Sequence, residues 1–199
     1  MLMKPKLNEP KKGEFAMAEK RTSKKWKKAQ IKKHIQEIEK VIKKHKRLVK
    51  KGEGFTAVTP EDIKRKLDRQ NSPMIVSQTG SWTTPTAVGS TFTYRVGLYN
   101  PDPTQAIWLF AHVWVGSGNV DPAVGSFLQN VDTRFPRLTK PSFSGLTIPA
   151  GGSTVVNFKM KVPSGVEKTD YLGNCCLMRF NWHDVGTYLD RAVFVFNVS

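Results

Sequence analysis

The residues with most chemical potential in this 199-residue chain are the adjacent Cys175 and Cys176, then His183 and Asp184, with His112 upstream. A thiol beside an imidazole and a carboxylate is the kit of a thiolate nucleophile, with the imidazole as base. The same thiols and imidazoles are also zinc ligands. Neither chemistry has spacing in its favour. Consecutive strand residues point to opposite faces, so only one of the two thiols can face a given base. A disulfide between strand neighbours is strained, so both read as reduced thiols from a reducing compartment. His112, between Ala111 and Val113, reads as a core or interface histidine. Phosphate-loop, zinc-protease and nucleophile-elbow signatures do not occur. The expectation is a non-enzymatic chain with no catalytic residue, no metal and no cofactor.

The stronger signal is charge. The chain carries a formal +16. Residues 1–71 hold 23 Lys and Arg against nine Asp and Glu, so nearly all of the excess lies in the first third. Such asymmetry points to an anionic partner for one module. The candidate polyanion-binding residues are Lys24, Lys25, Lys27, Lys28, Lys32, Lys33, Lys43, Lys44, Lys46, Arg47, Lys50 and Lys51. Trp26, flanked by lysines, is a candidate stacking or anchoring residue.

These cations need an element to carry them, and the sequence supplies one. Ile31, Ile35, Ile38, Ile42 and Val49 recur at alternating spacings of four and three, with His45 filling the gap. That is a helix with one apolar seam, predicted over about 23–51. Thr22 or Ser23 can cap its start and Gly52 its end. A second helix is predicted over about 60–70: Thr59 at the cap, Pro60 next, then Glu61 and Asp62 in the first turn. The seam of Ile31, Ile35, Ile38 and Ile42 is expected to pack on Ile63 and Leu67 as a helical hairpin, or on a second copy as a homo-oligomer; the Ile63 and Leu67 edge could instead pack on the next domain. Residues 1–21, with two prolines and no period, read as a flexible basic arm.

From residue 72 the texture changes to strands. Phe92, Tyr94, Val96 and Leu98 alternate with polar residues, and so do Val156, Phe158, Met160 and Val162. "MIVSQT", "YLGNCCLMRF" and "RAVFVFNV" add more strands. "AIWLFAHVWV" is apolar throughout and is predicted to be covered on both faces. Turn signals such as "NPDP" and "PAGG" separate them. About seven strands at this spacing predict an antiparallel sandwich over 72–199. The fold class is therefore α+β by segregation: arm 1–21, basic helical module 22–71, all-β sandwich 72–199.

The run "LTIPAGGSTVVNFKMKVPSG", the strand after Tyr171 and the final strand resemble immunoglobulin-like domains of the CARDB or fibronectin-III kind, as found in bacterial and phage virion proteins. "DVGTYLD" at 184–190 resembles a tyrosine corner with Asp190 in the place of cysteine; Tyr171 is the better corner candidate. A viral jelly roll is the rival topology. The resemblance covers residues 73–199 and implies fold rather than activity.

No stretch is long and apolar enough for a membrane span, and the first residues lack the apolar core of a signal peptide. The expected function is structural: a virion protein, such as a phage head or capsid decoration protein, made in the host cytoplasm. Its basic module would dock on an anionic capsid surface or on nucleic acid while the sandwich is displayed or assembles. The alternative is a cellular nucleic-acid-binding protein with an accessory sandwich.

Overall fold

A computed structural model describes residues 12–69, 72–117, 146–181 and 184–199. The elements run α1 (Lys12–Lys46), β1 (Gly54–Ala57), α2 (Pro60–Arg69), β2 (Met74–Gly80), β3 (Thr91–Tyr99), β4 (Ile107–Ser117), β5 (Leu146–Ile148), β6 (Ser153–Lys161), β7 (Asp170–Asn181) and β8 (Asp184–Asn197). The fold is mixed α+β and mainly β. Among the described residues two antiparallel four-stranded sheets form, ordered β1-β2-β3-β6 and β5-β4-β7-β8.

The alternating residues decide how the sheets face. In the β3–β6 ladder Phe92 pairs with Met160, Tyr94 with Phe158 and Val96 with Val156. This apolar row meets Leu109, Ala111, Val113, Cys175, Leu177, Phe194 and Phe196 of the other sheet in one core. Tyr94 stacks on Phe194 with ring centroids 4.0 Å apart, and its hydroxyl donates to Gln78 Oε1 at 2.7 Å, so that hydroxyl is not left stranded. At the start of β7 the Tyr171 hydroxyl donates to the Glu167 carbonyl at 3.1 Å, which fixes the corner leading into that strand.

A second core lies on the outer face of the first sheet. Ile38 of α1 and Ile63 of α2 are buried there against Met74, Val76 and Tyr99, with Ile35, Val41, Ile42, Val58 and Leu67 at its margin. Strand β2 is thus covered on both sides, and every residue of it except Gln78 is buried. A bulge at Val76 helps: Ile75 pairs with Leu98 and Ser77 with Gly97, leaving Val76 as the extra residue.

Several sequence expectations change. The helices do not stand as a separate hairpin; both lie on the sheet, and β1 intervenes between them and pairs with β2. Four residues are too few to show a strand period, so β1 was not legible. The first helix begins at Lys12, inside the expected arm, because residues 12–21 are mostly good helix formers. Thr22 and Ser23 therefore lie within it rather than at its start. It stops at Lys46 rather than 51: Leu48 N–H turns back to the His45 carbonyl at 2.8 Å and Val49 N–H to that of Lys46 at 3.2 Å. Gly52, at φ 85°, instead takes the third position of the Lys50–Glu53 turn, where a positive φ is needed. Strand β4 is not covered on both faces, since Trp108 is 51% exposed. The helices cover the other sheet. Residues 1–11 lie outside the described residues.

Candidate functional site

Between Lys27 and Lys51 the chain carries eleven cations and two acids. The seam dictates where they go. Ile38 has no exposed surface, and Ile35 and Ile42 flank it, because this face of α1 rests on β2, β3 and α2. Ile31, nearer the start, is half-buried. The seam is therefore closed within one chain, against one helix and a sheet face. The remaining positions turn outward: Lys27, Lys28, Lys32, Lys33, Lys43, Lys44, Lys46, Arg47, Lys50 and Lys51 are all exposed. Lys24, Lys25 and Trp26 fall within α1, but their side chains lie outside the described residues. On α1, among the described residues, two lysines meet acids, Lys27 with Asp68 at 3.2 Å and Lys40 with Glu37 at 2.8 Å. Exposed pairs of this kind contribute little and leave the face cationic.

Two histidines on the seam hold α1 to the sheet, and both were missed as a set. His34 Nδ1 lies 2.8 Å from the Tyr99 hydroxyl, and His45 Nδ1 lies 2.6 Å from Ser77 Oγ. They sit about three helical turns apart on one face. His45 is fully buried with its edge against Phe55, ring centroids 5.5 Å apart. Its Nε2 has no hydrogen-bond partner. Burial, together with the nearby Arg95, lowers its pKa to about 4, against a smaller opposing effect of Glu53. Burial and then Lys33 lower that of His34. Gly97 makes the close approach at His45 feasible: a Cβ there would stand 2.4 Å from Ser77 Oγ and 3.1 Å from His45 Nδ1. Beside them Arg95 Nη1 donates to both Glu53 oxygens at 2.9 and 2.8 Å. Burial alone would raise the Glu53 pKa, but the Lys50 N–H and Arg95 outweigh it and hold it low.

Helix α2 starts as expected. Asp62 N–H donates to Thr59 Oγ1 at 3.1 Å, and the Thr59 hydroxyl donates back to Asp62 at 3.0 Å.

Cys175 and Cys176 are outside any disulfide, and both are buried. Cys175 points into the sandwich core, and burial raises its thiol pKa well above the usual range, with Cys176 and Asp190 adding to it. A thiol held neutral in this way is a poor nucleophile. The ladder sets His112 directly opposite Cys176, a juxtaposition with no sequence signature. His183 and the side chains of His112 and Asp184 lie outside the described residues. Among the described residues no cluster of His, Cys, Asp and Glu could hold a metal, and no helix is long and apolar enough to cross a membrane.

No known protein family and no curated protein matches this chain. Among solved structures it is similar to the C-terminal domain of wzt, at 10% identity and TM-score 0.45, over 75% of this chain and 80% of that one. It is also similar to a family 123 glycoside hydrolase from Clostridium perfringens, at 10% identity and TM-score 0.34, over 57% of this chain and 22% of that one. At these scores neither likeness carries an argument about what this chain does.

Proposed function

We propose that this is a non-enzymatic structural and interaction protein that docks through the lysine face of α1 on an anionic macromolecular assembly. The setting we favour is a virion, with the sandwich as a displayed immunoglobulin-like module of the fibronectin-III kind. The single observation behind the docking reading is that α1 buries its apolar seam on its own sheet and turns seven candidate cations to solvent, with Arg47, Lys50 and Lys51 exposed just beyond its end. A charged face anchored to a rigid sheet is pre-organised for a flat anionic partner. The immunoglobulin-like reading is supported by strand order. Taking β2, β3, β4, β6, β7 and β8 as A, B, C, E, F and G gives A-B-E on one sheet and C-F-G on the other. The Tyr171 corner at the start of β7 adds to it. Display is supported by the second sheet, whose outer residues Trp108 and Val195 stay about half exposed while α1 occupies the first.

Binding to a polyanion should follow charge. With about six or more phosphate contacts, affinity for duplex DNA should drop about 10³-fold or more between 50 and 200 mM salt. Reversing Lys32, Lys33, Lys43 and Lys44 to Glu should abolish binding and leave the sandwich folded. Affinity that is flat in salt, or unchanged in that variant, would remove the basis of this reading. Duplex and single-stranded DNA tested beside acidic capsid-like protein shells would identify which assembly is recognised.

A further inference from the structure

The cations of α1 are not scattered over its exposed surface. Successive helix residues are turned by about 100°, so positions can be placed around the axis from Ile38, which meets the sheet and has no exposed surface. Between residues 29 and 47, Lys32, Lys33, Lys40, Lys43, Lys44 and Arg47 lie within about 60° of the opposite direction. They share that wedge with Ala29 and Gln36, and all eight are exposed. Glu37 and Glu39 fall outside it, about 80° from its centre on opposite flanks. Arg47 lies one residue past α1, but its N–H still reaches the Lys43 carbonyl at 3.3 Å, so it continues the row. The helix thus carries an apolar stripe on one side and an acid-free cationic row on the other.

The row keeps its charge when every nearby helix acid is counted against it. Lys40 is bonded to Glu37, and that bond, with Lys33 as a weaker contributor, holds the Glu37 carboxyl below its usual range. From residue 29 to residue 47 there are seven cations and two acids, so a net +5 remains with both acids fully compensated.

Residue type selects the partner. The cores of protein–protein interfaces are poor in Lys and rich in Arg, Met and aromatic residues. Residues 27–51 hold ten Lys, one Arg and no Met, Phe, Tyr or Trp. Single-stranded nucleic acid is held on aromatic platforms within a cationic groove, whereas this row stands on the convex side of a helix. Base edges are read mainly by paired contacts from Arg, Asn and Gln. The row offers one Gln and one Arg, about three turns apart. Its chemistry suits a regular array of phosphates instead. A duplex carries one phosphate charge per about 1.7 Å of axis, so the roughly 18 Å from Lys32 to Lys44 faces about ten of them.

We propose that the cationic row of α1 binds the phosphate backbone of a duplex nucleic acid without sequence preference. This rests on the docking reading above and names its partner.

The test titrates the full chain with short labelled duplexes of equal length, from about 50 to 200 mM NaCl. A·T-only, G·C-only and mixed duplexes should bind within about threefold of one another, with log affinity falling against log salt at a slope of about −4 or steeper. Lys43→Gln with Lys44→Gln should flatten that slope by about two. Lys161→Gln, which removes an exposed lysine of the sandwich, should leave it unchanged. All three replaced side chains are exposed, so the variants keep the fold. The corresponding single strand, and polyglutamate of matched charge, should each bind more weakly than the duplex. Whichever of duplex DNA and duplex RNA binds tighter names the source of the backbone. A single strand bound as tightly as the duplex would overturn the proposal in favour of stacking at Trp26. A sequence preference above about threefold, or an unchanged slope in the double variant, would also overturn it. Polyglutamate bound as tightly as the duplex would overturn it too, while leaving docking on an anionic partner intact. Binding to neither duplex nor polyglutamate would remove the docking reading itself.

Discussion

Acid should loosen α1 from the sheet, and His45 should be the main cause. The imidazole is fully buried, bonded through Nδ1 to Ser77 and unpartnered at Nε2. The protonated ring would carry an N–H on that unpartnered nitrogen whichever tautomer it starts from, with Phe55 and the Arg95–Glu53 pair as neighbours. The folded chain therefore resists protonation, with a pKa of about 4 against an ordinary 6.5. Because the folded value is depressed, the unfolded chain binds more protons between pH 6.5 and 4. The stability contribution of His45 is thus complete above pH 6.5, falls as pH drops toward 4, and levels off below. Over that window the loss is about 3 kcal/mol, a large part of a typical domain's stability. His34 acts in the same direction, since its pKa is also lowered. Carboxylates titrate in the lower part of this range, so the measurement must be a difference. Urea unfolding of the wild type and of His45→Leu, followed by circular dichroism, should be compared at pH 7, 6, 5 and 4. The leucine variant loses the Ser77 bond but cannot titrate there. The stability of the wild type relative to the variant should fall by about 3 kcal/mol from pH 7 to 4. A difference that stays constant with pH, or an imidazole NMR titration of His45 centred near 6.5, would refute the reasoning.

Ile38→Ala should destabilise the chain by about 2–5 kcal/mol, because it opens a cavity in the second core where the side chain has no exposed surface; denaturant melts check this. Tyr171→Phe should cost about 1 kcal/mol in the same assay, the net value of the hydroxyl bond to the Glu167 carbonyl. Cys175 and Cys176 should react with a thiol-labelling reagent at neutral pH only when urea unfolds the chain. Fast labelling of the native protein would show that one of them is accessible.

Much of the local structure is written in the sequence itself. The Ile31–Ile42 spacing specifies a helix with one apolar face, and Thr59-Pro60-Glu61-Asp62 specifies the start of the next. The alternation at Phe92–Leu98 and Val156–Val162 specifies two half-buried strands. These signals are local, because they depend on residues within a turn or two and on a backbone with few allowed shapes. The surplus of cations on α1 is equally legible, since lysines follow wherever an apolar seam sends the opposite face. What the sequence could not show is what that seam meets. Isoleucines at helical spacing fit a second helix, another subunit or a sheet equally well, because burial is non-directional. The tertiary structure chose the outer face of β2 and β3 and thereby left Trp108 exposed on the opposite sheet. It also brought His45 to Ser77, with Gly97 leaving room, and Lys66 to Asp190. Such contacts join residues from 32 to more than 120 positions apart. No periodicity spans those distances, because they are set by how the sheets pair and pack.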